Sequence, residues 1–170
     1  MKKVFVLIVI LVAGMASMVK AQAPKFGHID MQQLIQVMPE RQAALDVLEK
    51  ASNELEDNLG AMQKELQTMY QDYAAKRETM SDLVRQAKED DINAKTQRIE
   101  TFRTQADQQL QQKQQELLQP IFNKADSIIS VVAKENNLIY VFDVSTRVVL
   151  YKSNQSIDLL PLVKKKMGIE

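Results

Sequence analysis

The stretch of sequence that decides the fold runs from residue 45 to residue 87 and reads LDVLEKASNELEDNLGAMQKELQTMYQDYAAKRETMSDLVRQA. Thirteen of its positions alternate strictly by three and four residues, and ten of these are large and apolar or aromatic. The series is Leu45, Leu48, Ser52, Leu55, Leu59, Met62, Leu66, Met69, Tyr73, Lys76, Met80, Leu83 and Ala87. A sustained repeat of about 3.5 residues predicts a left-handed coiled coil, because it keeps one apolar stripe facing a partner helix.

The coiled-coil stretch lies within a longer helical region that could take two forms. Residues 40–119 contain no Pro and a single Gly. One continuous helix of that length would measure about 120 Å, whereas a hairpin would have arms of about 65 Å. The heptad phase runs out near residues 88–91, where Asp90 or Asp91 could cap a second helix. We therefore expect an antiparallel hairpin over residues 39–120 with its tip near 88–91.

The second half of this region carries its apolar repeat less regularly. Its seam positions are Ile92, Ile99, Phe102, Ala106, Leu110, Leu117, Ile121, Ala125, Ile128 and Val132. Eight Gln occur from Gln105 to Gln119, so the seam there is thin. Pro120 should kink the helix where it leaves the arm, because proline removes one backbone hydrogen bond.

Both ends of the chain predict short strands. The runs at residues 26–29, 138–142 and 147–151 are rich in β-branched and aromatic residues. Asp30 and Asp158 are suited to cap short helices that follow the first and last of these runs. Residues 22–38 and 121–170 should therefore form a small β body, and the fold class is α+β with a helical-hairpin arm. Apolar residues run almost continuously through this body, so we expect it to oligomerise.

The first residues have the pattern of a secretory signal peptide. Lys2 and Lys3 precede an apolar run over residues 4–12, and small residues follow it. The alternative is a membrane anchor, but the run is well short of the roughly 20 residues that a span needs. We expect residues 1–21 to be removed by cleavage after Ala21, and the mature protein to reside in the periplasm.

Composition excludes several classes of function. The chain has 22 basic and 22 acidic residues, one His and no Cys. This balance argues against a nucleic-acid binder, and the absence of Cys excludes disulfides and thiolate metal sites. We expect no enzyme activity, no metal and no cofactor. His28 is interpreted as a strand residue whose ring is satisfied by a neighbour, rather than as a metal ligand or proton shuttle.

Apolar and basic side chains cluster around the expected tip of the hairpin. Of these, Tyr70, Val84 and Ile92 lie off or at the edge of the heptad seam, so they would be exposed on an isolated hairpin and could hold unfolded chain weakly at many points. An ordinary solvated helix surface is the alternative. The candidate binding residues are Tyr70, Met80, Leu83, Val84, Ile92, Lys76, Arg77, Arg85, Lys88, Lys95 and Arg98.

Three terminal motifs carry a family resemblance. Residues 25–31 read KFGHIDM, residues 138–143 read LIYVFD, and residues 148–154 read VVLYKSN. Together with the apparent signal peptide and the long heptad region, these motifs resemble the Skp/OmpH family of periplasmic chaperones. The central coiled coil is generic and adds little to the likeness.

The resemblance implies a trimer whose β bodies assemble, with three hairpins projecting around a cavity. Such chaperones hold unfolded outer-membrane β-barrel proteins without ATP and prevent their aggregation. The resemblance places the oligomer contacts at Phe26, Ile29, Val141, Phe142, Val149 and Leu150. The mature chain would have 19 basic and 22 acidic residues, whereas better-known members are strongly basic, so membrane or lipopolysaccharide contact is left open.

A rival hypothesis is a structural coiled-coil spacer or adaptor of the cell envelope that binds one folded partner. The two hypotheses differ in the expected shape. A hairpin trimer with an open apolar cavity favours the chaperone, whereas a straight dimeric rod of about 120 Å favours the spacer.

Overall fold

The computed structural model describes residues 23–169. The chain forms a small body from its two ends and a long helical hairpin from its middle. The elements, in chain order, are strand β1 (Lys25–Ile29), helix α1 (Met31–Val37), helix α2 (Pro39–Lys76), a 3₁₀ turn (Arg77–Thr79), helix α3 (Asp82–Glu135), strand β2 (Leu138–Asp143), strand β3 (Ile157–Asp158) and helix α4 (Leu160–Met167). The expected α+β fold with a helical-hairpin arm is confirmed, and oligomerisation stays a prediction.

The sheet has three parallel strands in the order β2-β1-β3. Its central strand β1 comes from the N-terminal end of the chain, and its two edge strands come from the C-terminal end. In the register, Phe26 lies beside Tyr140, and His28 lies between Phe142 and Asp158. This register sets which side chains share a face.

The predicted strand over residues 147–151 is wrong. That run belongs to an irregular segment between β2 and β3, and the third strand is Ile157–Asp158 instead. The carboxylate of Asp143 accepts hydrogen bonds from the backbone N–H and the hydroxyl of Ser145, which turns the chain at the end of β2. Arg147 then adopts a left-handed backbone with φ of 57°. Such a conformation interrupts an extended strand.

The core of the body lies between one face of the sheet and helices α1, α3 and α4. Its fully buried residues include Leu34, Met38, Leu159 and Val163. Gly27 permits this close packing, because a Cβ at that position would lie 2.4 Å from Leu159 Cδ1. The sheet therefore sits directly on the residue that precedes α4.

The hairpin turns at residues 77–81 and not at 88–91. Helix α2 ends at Lys76, and α3 begins at Asp82 with Ser81 as its N-cap. The Ser81 hydroxyl accepts a hydrogen bond from the Val84 N–H at 3.5 Å. A serine cap and one extended residue are enough to reverse the chain here without Gly or Pro. Asp90 and Asp91, which were expected to cap the second helix, lie inside α3.

The two arm helices pack along the predicted seam. Helix α2 has 38 residues and is therefore about 57 Å long. The heptad positions from Leu48 to Tyr73 are half-buried. Helix α3 continues past Pro120 to Glu135 and enters the body, so no helix boundary separates arm from body at residue 120. The predicted signal peptide at 1–21 lies outside the described residues, and no helix among the described ones is long and apolar enough to cross a membrane.

Candidate functional site

The tip of the hairpin exposes large apolar side chains. Leu83 is 82% exposed, Tyr70 is 51% exposed and Val84 is 46% exposed. Leu83 and Val84 lie in the first turn of α3, beyond the end of the partner helix at Lys76. They stand outside the paired length of the arm, which leaves Leu83 almost fully open and Val84 about half exposed. The expected exposure of Tyr70 and Val84 is thus found, whereas Leu83, which the heptad placed in the seam, is exposed because the turn lies at residues 77–81.

Two other apolar candidates behave differently from these three. Met80 is half-buried within the turn. Ile92 is only 4% exposed, so its predicted exposure is wrong. Moving the turn to 77–81 changes the register of the helices, as shown by contacts from Tyr73 to Glu89 and from Glu65 to Lys95. In that register Ile92 faces the seam and contributes to packing.

Three of the six candidate basic residues are engaged in ion pairs. Lys76 pairs with Asp72 and Arg85 with Asp82, each within one helix. Lys95 is largely buried and joins α3 to Glu65 of α2. Exposed ion pairs contribute little to the stability of the fold. In each pair, however, the carboxylate offsets the positive charge that the basic side chain would otherwise present to a ligand.

The other three basic candidates are Arg77, Lys88 and Arg98. They are exposed, and none of them has an ion pair among the residues that the structure describes. Arg77 lies in the turn itself, while Lys88 and Arg98 lie further along α3. Among the six candidates, these three guanidinium and ammonium groups are therefore the ones most available to a ligand.

A hydrogen bond that the sequence did not indicate ties the arm together near its tip. The hydroxyl of Tyr73 on α2 donates to the carboxylate of Glu89 on α3. This hydrogen bond, with the nearby negative charge of Glu89, raises the pKa of Tyr73 above its ordinary value. Tyr73 was identified as a seam residue from its spacing, but a partner on another helix could not be read from spacing alone.

The outer face of the sheet carries a row of aromatic side chains. The ring centroids of Phe26 and Tyr140 are 6.4 Å apart, and those of Tyr140 and Phe142 are 6.0 Å apart. All three rings remain more than one-third exposed. Offset stacking of this kind stabilises the rings relative to each other but leaves a broad apolar surface uncovered.

The irregular segment after β2 adds further exposed apolar groups. Val148, Leu150 and Tyr151 are 81%, 93% and 82% exposed. Of the residues expected at oligomer contacts, Phe26, Phe142 and Leu150 are exposed and Val149 is half-buried. Ile29 differs, because it is buried in the core of its own protomer, and Val141 packs against the same core.

A third apolar surface lies at the base of the arm. A groove of about 380 Å³ is lined by Ala43, Ala44, Val47, Leu117, Pro120 and Ile121, with Glu40 and Lys124 at its rim. The hydrogen bond from the Lys124 ammonium to Glu40 lowers the pKa of that carboxyl below its ordinary value. The small side chains of Ala43 and Ala44 on α2 face Leu117, Pro120 and Ile121 on α3 across this space, which no motif in the sequence indicated.

In the part of the chain that the structure describes, no metal-binding cluster accompanies these surfaces. Among residues 23–169, no group of three or more His, Cys, Asp or Glu side chains could hold a metal ion. The ring of His28 is satisfied by two neighbours, Ser156 and Lys152, as the sequence analysis expected. What the surfaces can offer is apolar contact next to a few exposed positive charges.

Comparisons with known proteins bear on this architecture. The family model described as Outer membrane protein (OmpH-like) matches residues 25–167. Among solved structures, the chain is similar to a candidate outer membrane chaperone (OmpH-like) from Caulobacter crescentus, with a TM-score of 0.74 and 13% sequence identity. The alignment covers 85% of this chain and 83% of that chain. At this identity the likeness shows a common fold. A search of the curated proteins finds no match.

Proposed function

Because the chain belongs to the OmpH-like family of outer membrane proteins, we propose that it is a periplasmic chaperone that holds unfolded client proteins without ATP. Its role is chaperone-like and not enzymatic, in keeping with that family. The clients in this proposal are unfolded outer-membrane β-barrel proteins. They are bound between helical arms, which keeps them from aggregating until they are released.

The exposure of Leu83, Val84 and Tyr70 at the tip of a long hairpin is the observation that carries the proposal. An unfolded β-barrel strand alternates apolar and polar residues, so it presents apolar side chains at intervals along an extended chain. Scattered apolar groups on a helical arm can contact such a chain at several points, each of them weakly. Weak contacts at many points suit a chaperone that must bind many sequences and release them.

Exposed charge near the tip would assist this capture. Arg77 and Lys88 lie within six residues of Leu83 or Val84, Arg98 lies further along α3, and none of the three has an ion pair among the described residues. Clients with an acidic balance would be attracted to this end of the arm, and the attraction would weaken with added salt. Contact with a membrane or with lipopolysaccharide is not part of the proposal.

A cavity for the client requires several arms, and the proposal therefore includes a homo-oligomer, with a trimer expected. The row of Phe26, Tyr140 and Phe142 on the outer face of the sheet supports assembly through the β body, together with the exposed Val148 and Leu150. Contiguous exposed apolar surface of this kind is typical of interaction sites. Further copies of the chain are the proposed occupants.

The rival spacer function depended on a straight rod, and the hairpin turn at residues 77–81 does not favour it. Helix α2 has 38 residues, so the arm is about 57 Å long and less than half the length of the expected rod. Export to the periplasm is part of the proposal and is supported by the signal-peptide pattern at residues 1–21. Nucleic acid is not an expected partner.

The test is suppression of aggregation. An outer-membrane β-barrel protein is diluted out of urea in the presence of the mature protein, and light scattering is followed at one trimer per client. We expect scattering to be suppressed at this stoichiometry. Failure of the wild-type protein to suppress it would refute the holdase proposal.

Variants then locate the contact. The double substitution Leu83→Ser and Val84→Ser removes the exposed apolar groups at the tip and should weaken client binding about tenfold, a change of about 1.4 kcal/mol. Val131→Ser is the matched control, because Val131 is 41% exposed but lies on α3 within the body. Equal loss in both variants would mean that the tip has no special part in holding clients.

A further inference from the structure

His28 occupies an unusual place for a polar side chain. It lies on the central strand β1, on the same face of the sheet as the exposed aromatic rings of Phe26 and Phe142. Yet His28 itself is only 6% exposed. The irregular segment between β2 and β3 passes over it and covers the ring with Lys152 and Ser156. His28 is thus the point at which this segment is attached to the outer face of the sheet.

The two neighbours define the proton arrangement of the ring. Nε2 lies 2.5 Å from Nζ of Lys152, and Nδ1 lies 2.9 Å from Oγ of Ser156. A lysine ammonium can only donate a hydrogen bond. Nε2 must therefore be the unprotonated nitrogen that accepts, and Nδ1–H must donate to the serine hydroxyl. This arrangement exists only when the imidazole is neutral.

Protonation of the ring would break this arrangement. An imidazolium carries N–H on both nitrogens and can no longer accept. Its Nε2–H would face the Lys152 ammonium, so that a hydrogen bond is replaced by two donors of like charge in contact. Lys152 is exposed and can swing into water, which removes the contact that covers the ring. The bond to Ser156 alone would remain.

The two carboxylates nearest to His28 on the neighbouring strands are each engaged by other groups. Asp158 is its register partner on β3, but the Asp158 carboxylate accepts from the Leu160 N–H at 3.0 Å and forms no ion pair with the ring among the described residues. On β2, Asp143 is engaged by Met31 and Ser145. Lys25, at the start of β1, is exposed and adds only positive charge.

We propose that His28 is a pH-sensitive clamp. In its neutral form it holds both Lys152 and Ser156 against the outer face of the sheet, and in its protonated form it releases Lys152 and keeps only the bond to Ser156. Histidine is the side chain whose ordinary titration lies between about pH 5 and 8. The chain has one His and no Cys, so no other side chain is suited to respond in this range. The clamp does not rest on the chaperone activity.

Release of the clamp has a consequence for the surface of the β body. The segment that it holds also carries Val148, Leu150 and Tyr151, the most exposed apolar side chains of the body. With the clamp closed, these groups are presented from a chain that is held at both Lys152 and Ser156. With the clamp open, only the hold at Ser156 remains, so these groups can move further over the outer face, whose aromatic rings are already partly exposed.

Hydrogen exchange and proton NMR test the clamp directly in the full mature protein. The single imidazole is titrated by NMR from about pH 7.5 to pH 5.5, the range in which histidine ordinarily changes charge. Over the same range, amide exchange is measured and corrected for the intrinsic pH effect. The Ser156 N–H, which donates to the Ser153 carbonyl at 3.1 Å, is the probe. Its protection should fall about tenfold as the ring is protonated, whereas amides of β2 should keep theirs.

Three variants separate the clamp from a general effect of acid. His28→Gln cannot be protonated in this range, so its Ser156 protection should be independent of pH. Ser156→Ala loses one contact at every pH but should keep the pH response in the neighbouring amides of residues 152–155. Lys152→Glu should reverse the sign, because a carboxylate accepts from the imidazolium and protection would then rise on acidification.

The exposed position of Lys152 means that its substitution should not prevent folding. An equal loss of protection in wild type and His28→Gln would overturn the proposal. So would titration of His28 with no change in Ser156 protection, or a Lys152→Glu variant that responds like the wild type. Loss of holdase activity in any variant would concern the proposed function and not the clamp.

Discussion

Replacing Ile92 with alanine should destabilise the protein by about 2–3 kcal/mol, whereas Leu83→Ala should change its stability by less than about 0.5 kcal/mol. The two residues lie nine positions apart on the same helix, and both were candidate binding residues near the expected tip, with Leu83 placed in the heptad seam and Ile92 expected to be exposed. The structure buries Ile92 to 4% exposure and leaves Leu83 82% exposed. Their contrast in stability therefore tests the position of the turn.

The magnitude follows from what the alanine removes. Ile→Ala deletes three carbon groups, each worth about 0.8 kcal/mol when buried, so the transfer cost is about 2.4 kcal/mol. The cavity that remains between the two helices adds to this cost. Alanine returns a few tenths of a kcal/mol through its higher helix propensity. At Leu83 almost no buried area is lost, and the propensity gain is similar.

The assay is urea unfolding followed by far-ultraviolet circular dichroism, with all variants at the same protomer concentration because assembly would shift the midpoint. Gln86→Ala, an exposed change on the same helix, controls for the propensity gain. Equal destabilisation by Ile92→Ala and Leu83→Ala would refute the reasoning. A loss below about 0.5 kcal/mol at Ile92 would do so as well, since this is the range of ordinary surface substitutions.

Two further substitutions test the packing of the body. Gly27→Ala should cost about 1–3 kcal/mol in the same assay, because the new Cβ meets the fully buried Leu159 side chain; a neutral result would mean that Leu159 can move aside. Asp143→Ala should cost about 1–2 kcal/mol at neutral pH, through lost hydrogen bonds from Met31 and Ser145. Burial alone would raise the pKa of Asp143, but these bonds outweigh it and hold the pKa below 3.8. The stabilisation is therefore complete above about pH 4 and is lost as the pH falls through the folded pKa, so wild type and variant should converge in acid; a constant difference would contradict this.

The elements that the sequence predicted well are those with a long periodic signal. The heptad from Leu45 onward identified the arm, because a repeat sustained over many turns has few alternative explanations. The first strand was recognised within one residue of its observed start at Lys25. His28 was correctly interpreted as a residue satisfied by neighbours, although the neighbours themselves come from more than 120 residues away and could not be identified.

The elements that could not be predicted from the sequence depend on single side chains or on distant partners. The turn at residues 77–81 depends on Ser81, which caps the second helix. Asp90 and Asp91 are equally suitable caps by residue type, and neither Gly nor Pro marks the turn in the sequence. The run at 147–151 has strong β-propensity, but Asp143 diverts the chain before it can pair. Propensity describes how well a residue suits a sheet, and it does not supply a neighbouring strand. The exposure of Ile92 was misjudged because register depends on the turn.

The separation of β1 from its partners in sequence governs how this chain can fold. Residues 30–137 stand between Ile29 and Leu138, which belong to neighbouring strands. If the arm pairs first, contact between Glu40 and Lys124 reduces the effective loop to about 24 residues and lowers the entropic cost of closing it by about 1.3 kcal/mol. The local contacts of the hairpin should therefore form early and the sheet last. During synthesis, β1 is made first and must wait unpaired until the last third of the chain arrives, so the arm is what brings the two ends of this protein together.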